Sequence, residues 1–209
     1  MKLFSTAYFP NVAYLAQFST TPKAVIEIWE TYPKQTYRNR TLISTANGIL
    51  PLTANVERPG GNHTLTKDVT LCYREDWPVQ HWRAIVSAYN ASPYFLYYSD
   101  DVKKLIFSKH RYLIDLNEEI LQWCLNKTKL GTATQQSSDF VKPCGEINDL
   151  RYSISPKTPC PWQFRPYPQV FETRFGFIPN LSILDLLFNT GPESGQILKG
   201  AGNDISTNY

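Results

Sequence analysis

The segment with the clearest chemical potential is a basic cluster, Tyr37-Arg38-Asn39-Arg40. Alternation along a strand would place Arg38 and Arg40 on one face and Asn39 on the other. Neighbouring guanidinium groups repel each other unless an anion, a carboxylate or solvent lies between them, and their forked donors match carboxylate and phosphate oxygens. The cluster therefore predicts a site for an anionic small molecule. The alternative is a solvated strand edge, where paired basic residues discourage aggregation.

A histidine, His81, lies near the predicted start of a helix that also carries Arg83 and Tyr89. The positive end of the helix dipole lowers the pKa of an imidazole, so His81 would be neutral and able to accept a proton. We therefore predict His81 as the catalytic base, and Arg83 and Tyr89 as substrate-binding residues. The alternatives are a structural hydrogen bond for His81 and an ion pair between Arg83 and Asp76.

One carboxylate, Asp185, interrupts a strongly apolar run near the C-terminus. A buried carboxylate must be paired or hydrogen-bonded. Arginine or tyrosine side chains from other segments would satisfy it. Pairing with Arg38 or Arg40 would make Asp185 a structural anchor for the basic cluster, and the alternative is a substrate-binding role. Asn180 or Ser182 is expected to cap the helix that contains it.

Composition limits the class of protein. Of the 209 residues, 42% are hydrophobic and 19% are charged, which is typical of one globular domain spanning residues 1–209 with a polar tail from about residue 200. The formal charge of +3 is too small to indicate a nucleic-acid-binding protein. No apolar segment is long enough for a membrane span, and the first residues do not form a signal peptide, so we expect a cytoplasmic location.

The usual signatures of metal and cofactor sites are missing from the sequence. It contains no glycine-rich phosphate loop, no dinucleotide-binding Gly-x-Gly-x-x-Gly turn and no Gly-x-Ser-x-Gly elbow. Its four cysteines, Cys72, Cys124, Cys144 and Cys160, form no Cys-x-x-Cys pair and are expected to be free thiols. We therefore expect no metal and no cofactor. The sequence does not indicate an oligomeric state.

The pattern of apolar residues predicts an α/β fold, with a mixed α+β arrangement as the alternative. Strands are expected at 2–9, 25–28 and 68–73, with a hairpin around Asn47-Gly48, so the first third is rich in β-structure. A short helix should pass through Tyr14 and Phe18. The middle of the chain is expected to be helical, with helices after Asp76 and at about 100–109 and 113–127. Residues 132–168 are expected to form a long loop with one short strand. A C-terminal helix from about residue 182 should pack on a mixed sheet.

Six sets of residues occur in order over nearly the whole chain and resemble those of a known family. They are Thr6-Ala7-Tyr8-Phe9-Pro10, Gln35-Thr36-Tyr37-Arg38-Asn39-Arg40, Trp77 with His81-Trp82-Arg83, Ala88-Tyr89 with Ser92-Pro93-Tyr94-Phe95, Asp149-Leu150-Arg151, and Asn180-Leu181-Ser182-Ile183-Leu184-Asp185-Leu186-Leu187-Phe188-Asn189-Thr190-Gly191. The family is the WbqC-like protein family. Some of its members are associated with gene clusters for O-antigen and other surface polysaccharides, so the resemblance implies acyl or aminoacyl transfer to an amino-sugar nucleotide.

Two hypotheses follow for the function. The first is a metal-independent transferase in which Arg38 and Arg40 hold an anionic substrate, Tyr8 and Asn39 orient it, and His81 moves a proton. It predicts that these residues converge in one cleft. The second is a non-catalytic ligand-binding or assembly protein, in which the same arginine, tyrosine and aspartate side chains hold the fold together.

Overall fold

The computed structural model describes residues 1–143 and 148–201. The first part of the chain forms β1 (Lys2–Ser5), α1 (Val12–Phe18), β2 (Lys23–Glu27), β3 (Arg40–Thr45), β4 (Gly48–Thr53), β5 (Val56–Glu57) and β6 (Thr70–Leu71). The remainder forms α2 (Trp77–Tyr89), α3 (Phe95–Phe107), α4 (Leu113–Thr128), β7 (Ala133–Gln136), β8 (Asn148–Asp149), α5 (Glu172–Phe175), α6 (Ile183–Thr190) and α7 (Ser194–Ala201). These elements confirm the predicted α/β class.

Four strands form a parallel sheet in the order β7-β2-β1-β8. The central pair is in register with Leu3 opposite Val25 and Phe4 opposite Ile26, and all four side chains are buried. Strands that are covered on both faces in this way are typical of parallel sheets. The two edge strands, β7 and β8, are more polar and more exposed.

The hairpin β3–β4 is antiparallel, with Thr45 opposite Gly48 across the turn. The predicted Asn47-Gly48 signal is confirmed, because Gly48 has a φ of 103°, a value that favours glycine. A second, two-residue antiparallel pair joins β5 to β6. The described residues therefore form antiparallel strand pairs in addition to the parallel sheet.

The three middle helices bury one face each. In α4 the apolar positions Leu113, Leu116 and Ile120 are fully buried, at the spacing that the sequence indicated. The C-terminal helices α6 and α7 pack against α1, and α6 also contacts α3 and β3. Every residue of α6 is buried, so this helix lies within the core. Within the described residues, no helix is both long enough and apolar enough to cross a lipid bilayer.

Two predicted boundaries and one predicted number of strands were wrong. The first strand ends at Ser5, because residues 6–9 leave the sheet toward Pro10. The second middle helix begins at Phe95 and not near residue 100, since Pro93 stops only the preceding helix. The region 132–168 supplies two short strands, both at the edges of the sheet, where a long loop with one short strand was expected, because their polar sequences resemble a loop. Residues 202–209 of the predicted tail, and Cys144, lie outside the described residues.

Candidate functional site

The strand order places a topological switch point beside β1, in the middle of the sheet. The chain moves from β1 to β2 on one side, whereas β8 lies on the other side of β1. In open parallel sheets, ligands bind outside the carboxyl ends of the strands at such a switch point. The segments that follow β1 and β8 begin with Thr6 and Leu150, so two of the six family-like sets of residues meet here.

The helix that follows β1 has no free N–H groups for a phosphate. The backbone N–H of Val12 donates to the Leu181 carbonyl (3.0 Å), and that of Ala13 donates to Oδ1 of Asn180 (2.9 Å). The N–H of Tyr14 donates to Oδ1 of its own cap residue. Dinucleotide-binding folds hold a pyrophosphate at this position. Here the protein itself occupies the donors, so an anion must bind elsewhere.

The backbone is strained immediately before Pro10. Phe9 has a φ of 38°, a left-handed value that is unusual for a bulky residue. Its carbonyl oxygen accepts hydrogen bonds from the hydroxyls of Thr41 (2.7 Å) and Ser182 (3.3 Å), which hold the conformation in place. Strain of this kind costs about 1–3 kcal/mol and is concentrated at functional sites.

A buried group of charges lies at the carboxyl ends of the strands. Arg151 forms a forked pair with Asp149, with Nε to Oδ1 at 3.0 Å and Nη2 to Oδ2 at 2.6 Å. Its Nη1 also reaches Oε2 of Glu27 at 3.5 Å. Glu27 is fully buried at the end of β2, where its carboxylate accepts from the backbone N–H of Trp29 (2.7 Å) and the hydroxyl of Ser137 (2.9 Å).

The predicted anion ligand Arg38 belongs to the same buried group. Its Nε donates to Oε1 of Glu30 at 2.9 Å, and both side chains are only 3% exposed. Asn117 fixes the backbone beside it by donating from Nδ2 to the Arg38 carbonyl (2.8 Å). An internal carboxylate therefore neutralises Arg38.

We call these five residues, Glu27, Glu30, Arg38, Asp149 and Arg151, the carboxyl-edge cluster. Three carboxylates face two guanidinium groups, so the fully ionised cluster has a net charge of −1. Burial raises the pKa of Glu30, although the charge and hydrogen bonds of Arg38 partly offset this effect. Burial also acts to raise the pKa of Asp149, but the hydrogen bonds and charge of Arg151 outweigh it and lower that pKa. Buried charges with opposite pKa shifts are typical of functional sites.

A second group of side chains is coupled electrostatically to Tyr32, and we call Tyr32, Arg40 and Arg58 the Tyr32 site. Burial raises the pKa of Tyr32 to about 12, against the opposing positive charges of Arg38, Arg58 and Arg40. Arg38 is paired with Glu30, but no carboxylate of the described residues lies within 4 Å of Arg40 or Arg58. Arg40 donates from Nε to the Thr53 hydroxyl (3.2 Å), and Arg58 donates to Asn62 (3.4 Å). Two half-buried guanidinium groups thus act on one phenol without an internal counter-ion.

The predicted catalytic residue His81 is 4% exposed and held on two sides. Its Nδ1 lies 3.0 Å from the hydroxyl of Tyr8, and the backbone of Thr53 also hydrogen bonds its ring. Burial lowers the pKa of His81 to about 4, against the opposing effect of the Thr53 bond. Because Thr53 contacts both His81 and Arg40, two of the predicted residues are linked through β4, the second strand of the hairpin.

His81 also lines an open cavity of about 310 Å³ between β4 and α2. Leu52, Thr53, Trp77 and Ala84 form part of its wall, and its polar side includes Glu75. The only charged side chain in this lining is therefore a carboxylate, which disfavours an anionic ligand in the cavity itself.

The expected pairing of Asp185 with Arg38 or Arg40 was wrong. Asp185 is fully buried and accepts three hydrogen bonds from neutral groups: the hydroxyls of Tyr89 (3.0 Å) and Tyr167 (2.9 Å), and the amide of Gln169 (2.8 Å). Burial raises its pKa, and the three donors only partly offset this. Tyr89 also accepts from the backbone N–H of Ser44 (3.2 Å), so this network joins the hairpin, α2 and α6.

The other predicted residues lie in three different settings. Tyr37 is half-buried and its carbonyl accepts from the backbone N–H of Tyr8 (3.0 Å). Asn39 donates from its amide to the carbonyl of Ala54 (2.9 Å), which fixes the hairpin. Arg83 is exposed on α2, and the expected ion pair with Asp76 is not formed. Arg38 and Arg40 therefore both act electrostatically on Tyr32, and His81 contacts Tyr8. The hydrogen bonds of the described residues connect Asp185 to neither pair.

Sequence reasoning missed Glu27, Glu30 and Arg58. The two glutamates do carry a signal. Glu27 directly follows the apolar run Ala24-Val25-Ile26, and Glu30 lies three residues further on. Charged residues at the end of a buried parallel strand point to the carboxyl edge of a sheet. Arg58 carries no such signal, because its proximity to Tyr32 depends on the path of the loop after β5. Within the described ranges, no group of three or more His, Cys, Asp or Glu side chains is arranged to hold a metal ion.

Comparisons with known proteins agree with the motifs. A model of the WbqC-like protein family matches residues 6–159 and 160–197. An uncharacterised protein of Mycobacterium tuberculosis is 27% identical over 221 residues, which cover 92% of this chain and 91% of that protein. No solved structure matches the chain significantly. Since the family match covers nearly all of the sequence, the chain belongs to the WbqC-like protein family.

Proposed function

We propose that the protein is a transferase that binds an anionic sugar nucleotide and transfers an acyl or aminoacyl group to an amine of the sugar, in the assembly of surface polysaccharides. The observation that carries the proposal is the Tyr32 site. Arg40 and Arg58 have no internal carboxylate partner in the described part of the chain, and both act on the phenol of Tyr32.

The chemistry of this site suits a phosphate or pyrophosphate group. Guanidinium forks and a phenol are all hydrogen-bond donors that match phosphate oxygens. The N–H groups at the start of α1 already donate to Asn11, Asn180 and Leu181. The phosphates would therefore depend on the side chains of the Tyr32 site. The site is continuous with the carboxyl-edge cluster, because Arg38 acts on Tyr32 and binds Glu30. The acceptor group would therefore lie near the switch point of the sheet.

This proposal gives His81 a positioning role. Both its contact with Tyr8 and its bond to the backbone of Thr53 hold the imidazole in place, and Thr53 in turn holds Arg40. The transferase class itself rests on the resemblance to members associated with O-antigen clusters. No step of the proposal passes through a metal or a cofactor.

Ligand binding is tested by thermal unfolding with UDP-glucose and dTDP-glucose. A ligand at 100 times its dissociation constant adds about 2.7 kcal/mol to the free energy of unfolding. We expect a rise in melting temperature with at least one nucleotide sugar and none with free glucose at equal ionic strength. Arg40→Gln and Arg58→Gln should each weaken binding about tenfold, since each removes a charge-assisted bond.

The matched control is Arg111→Gln, which removes an exposed arginine outside the Tyr32 site. Equal weakening by all three variants would show only a general effect of charge, and would contradict the assignment. Transfer is then tested by mass spectrometry, with an amino-sugar nucleotide and an acyl thioester or aminoacyl ester. The expected product is the amide, in an amount that depends on Arg40 and Arg58.

A specific observation favours a second candidate, a non-catalytic ligand-binding or assembly protein. Arg38, His81 and Asp185 all have internal hydrogen-bond partners. Binding of a nucleotide sugar without any amide product, across a panel of acyl donors, would support this second candidate over the transferase.

A further inference from the structure

Unsatisfied polar atoms are concentrated around the Glu30–Arg38 pair. In the described part of the chain, three buried side-chain atoms have no hydrogen-bond partner: Oγ1 of Thr66, Oδ1 of Asn117 and Nδ2 of Asn11. The first two belong to residues that bond the backbone of the pair. The N–H of Thr66 donates to the Glu30 carbonyl (2.9 Å), and Nδ2 of Asn117 donates to the Arg38 carbonyl (2.8 Å).

The Glu30 carboxylate supplies a third unused acceptor. Both hydrogen bonds from Arg38 reach its Oε1 atom. No hydrogen bond from a described residue reaches Oε2. The unpartnered atoms of Thr66 and Asn117 are themselves buried. A buried acceptor without a partner costs about 1–3 kcal/mol, so native proteins keep few of them without a functional reason.

The three atoms near the Glu30–Arg38 pair, which belong to Glu30, Thr66 and Asn117, share one chemical property. Oε2 of Glu30 and Oδ1 of Asn117 are acceptors, and the Thr66 hydroxyl can also accept. The surrounding cluster has one more carboxylate than it has guanidinium groups. A primary ammonium group carries one positive charge and three donors, with no acceptor. An anion would face the Glu30 carboxylate and the Asn117 amide oxygen, with only the Thr66 hydroxyl able to donate to it, and so does not suit this position.

From this geometry we infer that the carboxyl-edge cluster binds the primary amine of the acceptor substrate as an ammonium ion, through Glu30, Thr66 and Asn117. The inference rests on the proposed function, in which the same substrate places its phosphates at the Tyr32 site. It adds that this amine binds as an ammonium ion, and it assigns the residues that recognise it.

Glu30 is also the residue that takes the proton. An N–H bond of the ammonium breaks, the proton moves to Oε2, and the nitrogen keeps the electron pair as a neutral amine. That amine then forms the C–N bond with the carbonyl carbon of an acyl thioester or aminoacyl ester, whose C–S or C–O bond breaks; the departing sulfur or oxygen takes the second proton. Burial raises the pKa of Glu30, so the carboxylate accepts a proton more readily than an exposed one, although Arg38 and Arg151 oppose this effect.

The amine is tested by calorimetric titration of the full chain with pairs of UDP- or dTDP-hexoses. The members of a pair differ only by an amine or a hydroxyl on the same carbon, tried at C2, C3 and C4. We expect one amine to bind at least about tenfold more tightly than its hydroxyl partner. Equal affinities in all pairs would overturn the inference but leave the proposed function standing. No binding of any member would instead overturn the proposed function.

The residues are tested with Thr66→Val and Glu30→Gln. Thr66→Val keeps the shape and the backbone bond but removes a hydroxyl that has no partner, so the free protein should be at least as stable as the parent. We expect it to reduce the preference for the amine at least about threefold, and Glu30→Gln to abolish it. An unchanged preference in the well-folded Thr66→Val protein would show that these atoms hold only a buried water, and would refute the assignment.

Discussion

Replacement of Asp185 tests whether neutral donors alone can hold a buried carboxylate. In Asp185→Leu, the hydroxyl of Tyr167 loses its acceptor, and Tyr89 loses the acceptor for its own proton. Gln169 keeps a second acceptor, the carbonyl of Ile178 (3.0 Å), so it contributes little. Two buried donors at about 1–3 kcal/mol each predict that the free energy of unfolding falls by about 2–6 kcal/mol.

The matched variant is Asp185→Asn, which keeps an acceptor oxygen in nearly the same volume. We expect it to lose less than about 1.5 kcal/mol at pH 7, because its amide oxygen can still accept from Tyr167 and Gln169. The comparison isolates the loss of hydrogen bonds from the loss of the side chain.

The pH dependence of the same pair gives an independent test. The pKa of Asp185 in the folded protein is raised above its unfolded value, so the folded state binds this proton more tightly. The stability that this group contributes is therefore fully present below the unfolded pKa, near about 3.9, and is lost as pH rises through the folded pKa. Asp185→Asn cannot titrate, so its stability relative to the parent should improve as pH increases from 4 to 7.

Both quantities are measured by urea unfolding, monitored by tryptophan fluorescence at pH 4, 5, 6 and 7. Equal stability of the Leu and Asn variants at pH 7 would refute the role of the hydroxyl donors. A relative stability of the Asn variant that falls with increasing pH would refute the raised pKa.

Three further predictions concern other parts of the fold. Arg38→Met should lower the free energy of unfolding by about 3–5 kcal/mol because Glu30 stays buried and unpaired, and Glu30→Met added to it should recover most of the loss in urea unfolding. The pKa of His81, lowered to about 4, should appear in an NMR titration of its ring; stability should fall by about 3 kcal/mol as pH drops from 7 to 4, and His81→Gln should lack this fall. Gly195→Ala should lower the melting temperature, because its Cβ would overlap a backbone carbonyl at the end of α4, whereas Gly200→Ala, in open space on the same helix, should raise the free energy of unfolding by about 0.5–1 kcal/mol.

Local signals in the sequence were sufficient for much of the fold. The Asn47-Gly48 turn and the apolar face of α4 depend on neighbouring residues only, and both were predicted correctly. One short strand was expected between residues 132 and 168, whereas the structure has two, β7 and β8. A polar four-residue strand and a two-residue strand have no periodic pattern that would locate them. Their place in the sheet depends on pairing with distant segments.

The same distinction explains the predicted site. The donor chemistry of Arg40 was recognisable from the basic cluster, and this arginine has no internal carboxylate partner in the described ranges. The partner of Arg38 is Glu30, only eight residues earlier, but the sequence does not show the reversal of the chain that joins them. Two of the donors to Asp185 are Tyr167 and Gln169. They come from a region without clear periodicity, so the sequence did not identify them as the partners of this carboxylate.

The bonds between the N-terminus of α1 and residues 180 and 181 affect how the protein is made. Until Asn180 and Leu181 have emerged from the ribosome, the first N–H groups of α1 have no protein acceptors, and Pro10 lacks its bond from the N–H of Ile183. Helix α1 therefore becomes complete only after residues 180 and 181 have been synthesised. Removal of the chain from residue 180 onward should leave a protein that cannot close its core, even though the parallel strands β1, β2 and β7 would be intact.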